Sequence, residues 1–440
     1  MRKFIPIDNI DYVFESKLLT FAAQKKITCI LKSNRNLFPT SDMYSNFEWC
    51  IALNALDEIS ISENTFVALK KFHEEKKDWI FGFLTYDLKN EIEKLKSSNN
   101  DNQHFPSFHF FQPEYIFLKD HDGLKLGFID HPLAEASVVR LLSDVQSTSV
   151  EVNYEISDVN IQSWVSREAY DENVSEIKKH IKRGDIYEMN YCVEFFAEDA
   201  KVHPEKIFEQ LTEISPMPFS CFYKVNSHSL ACASPERFMA KRGTKIISQP
   251  IKGTARRGAT KAEDDRIKES LAADEKEKSE NVMIVDLVRN DLSRTASKGS
   301  VKVEELFGIY AFRQLYQMIS TVVSEMRDEF HWTDVIRNAF PMGSMTGAPK
   351  IRAMQLIEEY ETTKRGLYSG AVGYVTPEGD FDFNVVIRSI LYNEAERYLS
   401  FMVGSAITIN SDSSREYEEC LLKAKAMMEV LKNKQMEKAS

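Results

Sequence analysis

No apolar run in this chain is long enough to cross a membrane, and the start, Met1-Arg2-Lys3-Phe4-Ile5-Pro6-Ile7-Asp8, lacks the hydrophobic stretch of a secretory signal. Those absences exclude a membrane-embedded or exported protein and make the cytoplasm the expected compartment. The six cysteines, Cys29, Cys50, Cys192, Cys221, Cys232 and Cys420, never form a CxxC pair. A disulfide frame and a cysteine zinc site are thereby excluded, and reduced, mostly buried thiols are expected. Basic residues are too few to balance the acids: 56 Lys and Arg stand against 67 Asp and Glu, a formal charge of -11. That balance excludes a nucleic-acid surface, but it leaves room for an anionic small molecule wherever cations are concentrated locally.

What is present is ordinary globular material, 43% hydrophobic and 28% charged over 440 residues, enough for one large core or two domains. Residues 1–150 alternate short apolar runs with polar linkers and show no catalytic cluster. Polar residues dominate Ser147 to Asp158, so a boundary is expected there, between an N-terminal α+β region (1–150) and a second region (160–435) that carries the candidate chemistry. In the second region Ser166 reads as an N-cap, and Tyr170, Val174, Ile177 and Ile181 recur at helical spacing before Gly184 as a stop. The following strand puts Glu188 and Asn190 on one face, since strand side chains alternate.

The segment Gln249-Pro250-Ile251-Lys252-Gly253-Thr254 follows an expected edge strand, Lys245 to Ser248, which the proline should end. Lys252 beside a glycine and a hydroxyl is the layout of an anion-contacting turn, although on this segment alone an ordinary surface loop with a solvated lysine is the readier reading. Residues 277–292 are apolar through their middle and read as a largely buried helix, with Glu277 and Glu280 three apart at its entry. A hairpin through Pro377 to Asp380 returns as a strand alternating Phe381, Phe383, Val385 and Ile387 with Asp382, Asn384, Val386 and Arg388; a buried Arg388 would need an anion. Ser413 and Glu416 have the spacing of a capping box, and Glu416 and Glu419 again lie three apart. Brought together, these four acids would repel one another unless a cation sat among them, and an all-oxygen set suits Mg²⁺. Spacing alone does not bring them together.

Six blocks in order, Gly184-Asp185-Ile186-Tyr187, Ser234-Pro235-Glu236, Pro250-Ile251-Lys252-Gly253-Thr254, Met283-Ile284-Val285-Asp286-Leu287, Gly347-Ala348-Pro349-Lys350 and Ile387-Arg388, resemble the chorismate-utilising enzymes over residues 165–430. A weaker likeness covers Gly82 to Leu88. The resemblance implies an α+β fold of two large, mostly antiparallel sheets packed face to face with helices outside, the N-terminal region forming part of the same sandwich. Lys252 resembles the lysine of the aminodeoxychorismate synthase branch, where the anthranilate, isochorismate and salicylate relatives generally carry alanine. On that likeness Lys252 adds to C2 of chorismate, Glu236 protonates the departing C4 hydroxyl, and ammonia then enters at C4 and expels the lysine.

The likeness further implies that Glu280 and Glu419 bind Mg²⁺ directly, with Glu277 and Glu416 alongside, and that Arg388 clamps the enolpyruvyl carboxylate. Gly253, Thr254, Thr346, Tyr368, Lys423 and the backbone of Gly404, Ser405 and Ala406 match other chorismate-contacting positions. Two departures bear on the chemistry. Ala406 stands where the family usually ends in glycine, and Glu188 stands where aminating members usually carry glutamine and water-adding members a lysine. A carboxylate at 188 could take a proton from ammonium or activate water. No glutaminase nucleophile elbow and no pyridoxal-lyase domain is recognisable, so the expected partners are a glutamine amidotransferase subunit and a separate aminodeoxychorismate lyase. Anthranilate synthase component I, another chorismate-converting enzyme, and a non-catalytic chorismate-binding subunit are the alternatives.

Overall fold

The computed structural model describes residues 1–8, 13–34, 44–150, 159–313 and 315–432. The expected boundary falls after the helix Ala134–Ser147, and residues 151–158 of it lie outside the described residues.

The strands form one hydrogen-bonded network whose ladders are antiparallel, and it folds into two sheets. One runs from Glu188–Ala197 through Tyr398–Ile407, Ser389–Asn393, His228–Ser234, Phe219–Val225, Ile27–Lys32 and Trp49–Ile59 to Phe108–Asp120. The other starts from that same last strand and runs through Ile80–Leu84, Ala371–Val375, Phe381–Asn384, Arg237–Arg242 and Lys245–Gln249 to Leu315–Glu325. Phe108–Asp120 serves both because it pairs with Trp49–Ile59 of the first sheet along one edge and, along the other, with Ile80–Leu84 of the second over its first half and Gly123–Ile129 over its second. Aromatic side chains fill the space between the sheets: Phe83 meets Tyr223 at 5.1 Å between ring centroids, and Phe111 meets the same ring at 6.1 Å.

Helices cover the outer faces. Arg167–Arg183, Pro204–Ile214 and Ser413–Leu431 pack on the first sheet, and Thr65–Lys76, Glu275–Ser293 and Trp332–Ala339 on the second. The cap at Ser166 is present, its hydroxyl accepting from the Ala169 amide at 3.2 Å, and Gly184 closes the same helix at φ 82. The sandwich of sheets and outer helices matches the fold the sequence implied.

Several local expectations are corrected. Lys245–Gln249 is an interior strand, paired with Arg237–Arg242 on one side and Leu315–Glu325 on the other, and the chain continues past Pro250 in unbroken register with Leu315–Glu325 as Ile251–Arg256. Pro250 donates nothing to the ladder, but its carbonyl still accepts from the Ser320 amide at 3.2 Å, and the register shift falls later, between Ile251 and Thr254. The helix Glu275–Ser293 is buried on one face only: Ile284, Val285, Val288 and Leu292 face the core while Val282, Asp286, Arg289 and Asn290 are exposed. The return strand ends at Asn384; Val385 and Val386 are both buried, and the Val385 carbonyl accepts from the Ser234 hydroxyl at 2.6 Å, which breaks the alternation before Arg388. The last helix is capped by Asp412, whose carboxylate accepts from the Arg415 amide at 3.1 Å, so Ser413 is the first helical residue.

A buried ion pair missed by the sequence reading holds the site's elements in register. Arg365 donates to both oxygens of Glu361, at 2.9 and 2.6 Å, to the Met345 carbonyl at 2.6 Å and to the Asn190 carbonyl at 2.9 Å. Glu361 in turn accepts from the Cys192 amide at 2.9 Å. Substituting Arg365→Met strands the Glu361 carboxylate and is expected to lower the free energy of unfolding by about 3 to 5 kcal/mol, read from urea denaturation; a loss under about 1 kcal/mol would show the pair is not the tie described.

Candidate active site

Lys252 lies on Ile251–Arg256 of the second sheet, and Glu188 opens Glu188–Ala197 of the first. Where the two sheets meet, the Lys252 Nζ stands 4.0 Å from Glu188 Oε1, with only 12% of the lysine side chain exposed. The next residue is Gly253. Its φ of +94 is the left-handed region, and a Cβ there would sit 3.1 Å from the Met318 Cβ and 3.2 Å from Glu277 Oε2, so a side chain would be strained and would press on both the neighbouring strand and the Glu277 helix. Asn281 fixes the join from the helix side, accepting from the Ser320 hydroxyl at 2.6 Å and lying 3.5 Å from the Lys252 carbonyl. The sequence reading missed Asn281, although it stands one turn after Glu277 on the same helix face.

Glu236 is buried in the turn between His228–Ser234 and Arg237–Arg242. A small cavity lined by Phe238, Met239, Pro250, Val288 and Met342 adjoins it. Burial pushes its carboxyl up to about 7, against the opposing pull of the nearby Ser344 hydroxyl and of Lys252. Arg237 points away from it, to Asp382 at 2.9 Å.

The four spaced acids bear electrostatically on one ammonium, that of Lys276. Lys276 pairs with Glu280 at 3.6 Å, and Glu280, Glu416, Glu277 and Glu419 together raise its pKa against the opposing effect of burial. Burial, reinforced by Glu280, drives Glu277 up to about 7. Glu280 is raised by burial, with Glu188 and Glu416 adding to it and Lys252 and Lys276 opposing. Burial acts the same way on Glu419, but Lys423, at 2.7 Å, outweighs it and holds the carboxyl below its usual range. The sequence reading did not single out Lys276. Among the described residues, the trio Asp120, His121 and Asp122 has ligand atoms mutually within 4.8 Å, but it is a largely exposed hairpin turn with nothing further to mark it as a site.

Arg388 sits at φ 49 just after the second sheet's return strand. Burial pulls its pKa down to about 10, and among the described residues it has no carboxylate partner, its NH1 reaching only the Met217 sulfur at 3.8 Å. The Lys423 ammonium donates to the Gly404 carbonyl at 2.8 Å. Gly404 and Ala406 oppose Cys192 and Asn190 and share their face, whereas the Ser405 hydroxyl turns to the helix layer, 3.2 Å from the Tyr170 hydroxyl. Thr346 is buried, its hydroxyl donating to Met342 and Gly343 carbonyls at 3.2 Å, and Tyr368 is buried with its hydroxyl 3.9 Å from the Cys192 sulfur. Thr254 is exposed.

Residues 27–429 match the chorismate binding enzyme family. The chain belongs to that family. Among chorismate binding enzymes it is 33% identical over 361 residues to aminodeoxychorismate synthase component 1 of Bacillus subtilis, covering 80% of this chain and 76% of that one. It is 30% identical over 385 residues to anthranilate synthase component 1 of Aquifex aeolicus, covering 82% and 77%. The crystal structure of anthranilate synthase component I from Streptococcus pneumoniae superposes with a TM-score of 0.77 at 25% identity, over 88% of this chain and 93% of that one.

An acid whose folded pKa lies above its unfolded value weakens the fold as pH rises between the two. For Glu236 that window runs from its ordinary 4.5 to about 7. Glu236→Gln is therefore expected to match the wild type in stability near the lower limit and to exceed it by about 2 to 3 kcal/mol above the upper one, as followed by urea denaturation across that range.

Proposed function

We propose that this chain is an aminodeoxychorismate synthase component I, converting chorismate and ammonia to 4-amino-4-deoxychorismate. The observation that carries this reading is the position of Lys252: a lysine 4.0 Å from one carboxylate and acting on Glu236, whose own carboxyl burial pushes up to about 7. Nζ forms a bond to C2, the ring double bonds shift, and the C4–O bond breaks as Glu236 gives its proton to the departing hydroxyl. Ammonia then bonds to C4, the double bonds shift back, and the C2–N bond breaks to return the Lys252 amine. Two displacements account for substitution at C4 without net inversion.

Arg388 supplies the guanidinium for the enolpyruvyl carboxylate, since a half-buried cation without a counter-charge among the described residues is completed by an anion. Gly253, Thr254, Thr346, Tyr368, Lys423 and the backbone of Gly404, Ser405 and Ala406 line the remaining substrate surface, and Glu188 is the second carboxylate beside the nucleophile. The four acids that act on the Lys276 ammonium are an oxygen-only donor set that would suit Mg²⁺, with Glu280 and Glu419 as the residues that would hold it and Glu277 and Glu416 in support. Bound there, Mg²⁺ would neutralise the ring carboxylate and draw electron density from C2. We place the reaction in the cytoplasm, with ammonia delivered by a glutamine amidotransferase partner and the product passed to a separate aminodeoxychorismate lyase; no helix among the described residues is long and apolar enough to cross a membrane.

Incubation with chorismate, Mg²⁺ and ammonium salt is expected to yield a 4-amino dihydroaromatic acid. Formation of 2-aminobenzoate and pyruvate would instead make the chain an anthranilate synthase. Without ammonium, mass spectrometry is expected to find an adduct on the Lys252 peptide that Lys252→Ala lacks; wild type without an adduct, together with undiminished 4-amination by Lys252→Ala, would exclude covalent catalysis. Arg388→Lys, which cannot make a two-pronged contact, is expected to cost about 1.5 to 3 kcal/mol in kcat/KM for chorismate; wild-type kinetics would make Arg388 structural.

A further inference from the structure

Glu188 is the least satisfied charged group near Lys252. It is 2% exposed, and its Oε2 has no hydrogen-bond partner. The Lys252 ammonium lies beyond hydrogen-bonding distance of the other oxygen, at 4.0 Å. Around it the sequence supplies little that could help: on the paired segment Gly347–Ala348 its register partner is Ala348, and on the strand beyond, Ala406 stands opposite Asn190. Asn190 itself is fully engaged, donating to the Ser344 carbonyl at 3.1 Å and accepting from the Cys192 thiol at 3.2 Å. The titratable groups that bear on this corner are Lys252 from its strand, Glu280 from the Glu275–Ser293 helix, and Glu236 beyond Lys252.

A buried carboxylate oxygen left open beside a nucleophile is a receptor for a small cationic donor. We infer that Glu188 receives the nitrogen substrate as ammonium, so that ammonia is released only inside the cleft; this rests on the amination proposed above. Ammonium donates one N–H to the free oxygen and passes that proton to it, leaving ammonia, which rotates to turn its new lone pair from Glu188 to the substrate. Ammonia bonds to C4 as the C2–Nζ bond breaks; the adduct nitrogen, already carrying its extra proton, leaves as neutral lysine, and the product amine keeps its own as an ammonium group. The proton held by Glu188 replaces the one Glu236 gave to the departing hydroxyl. In sum, one alcohol and one ammonium give one alkylammonium and one water. Glutamine at this position would hold neutral ammonia without taking a proton, and lysine would repel ammonium, so the carboxylate sets which form of the nitrogen enters.

The test is the KM for total ammonium between about pH 6.5 and about pH 8.5, where free ammonia rises roughly tenfold per pH unit. Wild type, taking ammonium, is expected to show a KM that changes less than about threefold over that range, while Glu188→Gln and Glu188→Ala, limited to free ammonia, show a fall approaching tenfold per unit. Trapping of chorismate on Lys252 without ammonium should persist in both variants, which reports an intact fold and an intact first step. A wild-type KM that falls tenfold per unit, like that of the variants, overturns the inference and leaves the amination standing. A hydroxylated product made by wild type and lost in Glu188→Gln overturns it in favour of water activation, and no 4-amino product from wild type at all overturns both readings.

Discussion

A guanidinium removed from water is tolerated only if every N–H finds an acceptor, and around Arg365 those acceptors come from separate parts of the chain. The Asn190 carbonyl belongs to the strand that begins with Glu188, the Met345 carbonyl to the loop that carries Ser344 and Thr346, and Glu361 to the segment just beyond the helix Lys350–Tyr360. Tyr86 packs on the guanidinium at 4.6 Å. Because the acceptors are rigid backbone groups and one carboxylate, the arginine fixes the spacing of the elements that border the Lys252 cleft. A lysine would satisfy fewer of them and could not lie flat against the ring.

Charge in the cleft is arranged by segregation. Glu236 lies where burial favours its neutral form, Glu419 lies where Lys423 favours the ionised form, and Lys276 lies where Glu280, Glu416, Glu277 and Glu419 favour its charged form. Carboxylates of one residue type thus acquire different protonation tendencies within one cleft through neighbours alone. Arg388 is left without a counter-charge from the described residues, which biases its surroundings toward anions even though the chain as a whole is acidic.

The sequence was most legible where local rules and tertiary context agreed. The Ser166 to Gly184 helix has its cap, its apolar stripe and its glycine stop where the pattern put them, because each is decided within a turn of helix. It was least legible where distant residues decide. Lys245–Gln249 reads as an edge strand beside a proline, yet Leu315–Glu325, far along the chain, pairs with both it and the segment after the proline. The Arg365 and Glu361 pair is only an arginine and a glutamate four apart on the page, indistinguishable from a solvated pair until burial is known. Asn281 was passed over for the same reason: its partners lie on other elements. The four spaced acids could be picked out individually, but only the packing of two helices from different parts of the chain lets them act on one ammonium.

The pairing of Ile80–Leu84 with Ala371–Val375 has a consequence for how the molecule is made. A ribosome has to complete nearly the whole chain before this ladder can close, so the aromatic face that carries Phe81 and Phe83 waits, without its final cover, through most of synthesis. Contacts of such long sequence separation are slow to form, and an uncovered strand edge is prone to pair with a neighbouring chain. Early release of a truncated product would leave that surface permanently open. Yield in cells therefore depends on holding the first quarter of the polypeptide apart from its neighbours until the last quarter arrives, and a slower translation rate lengthens that exposure.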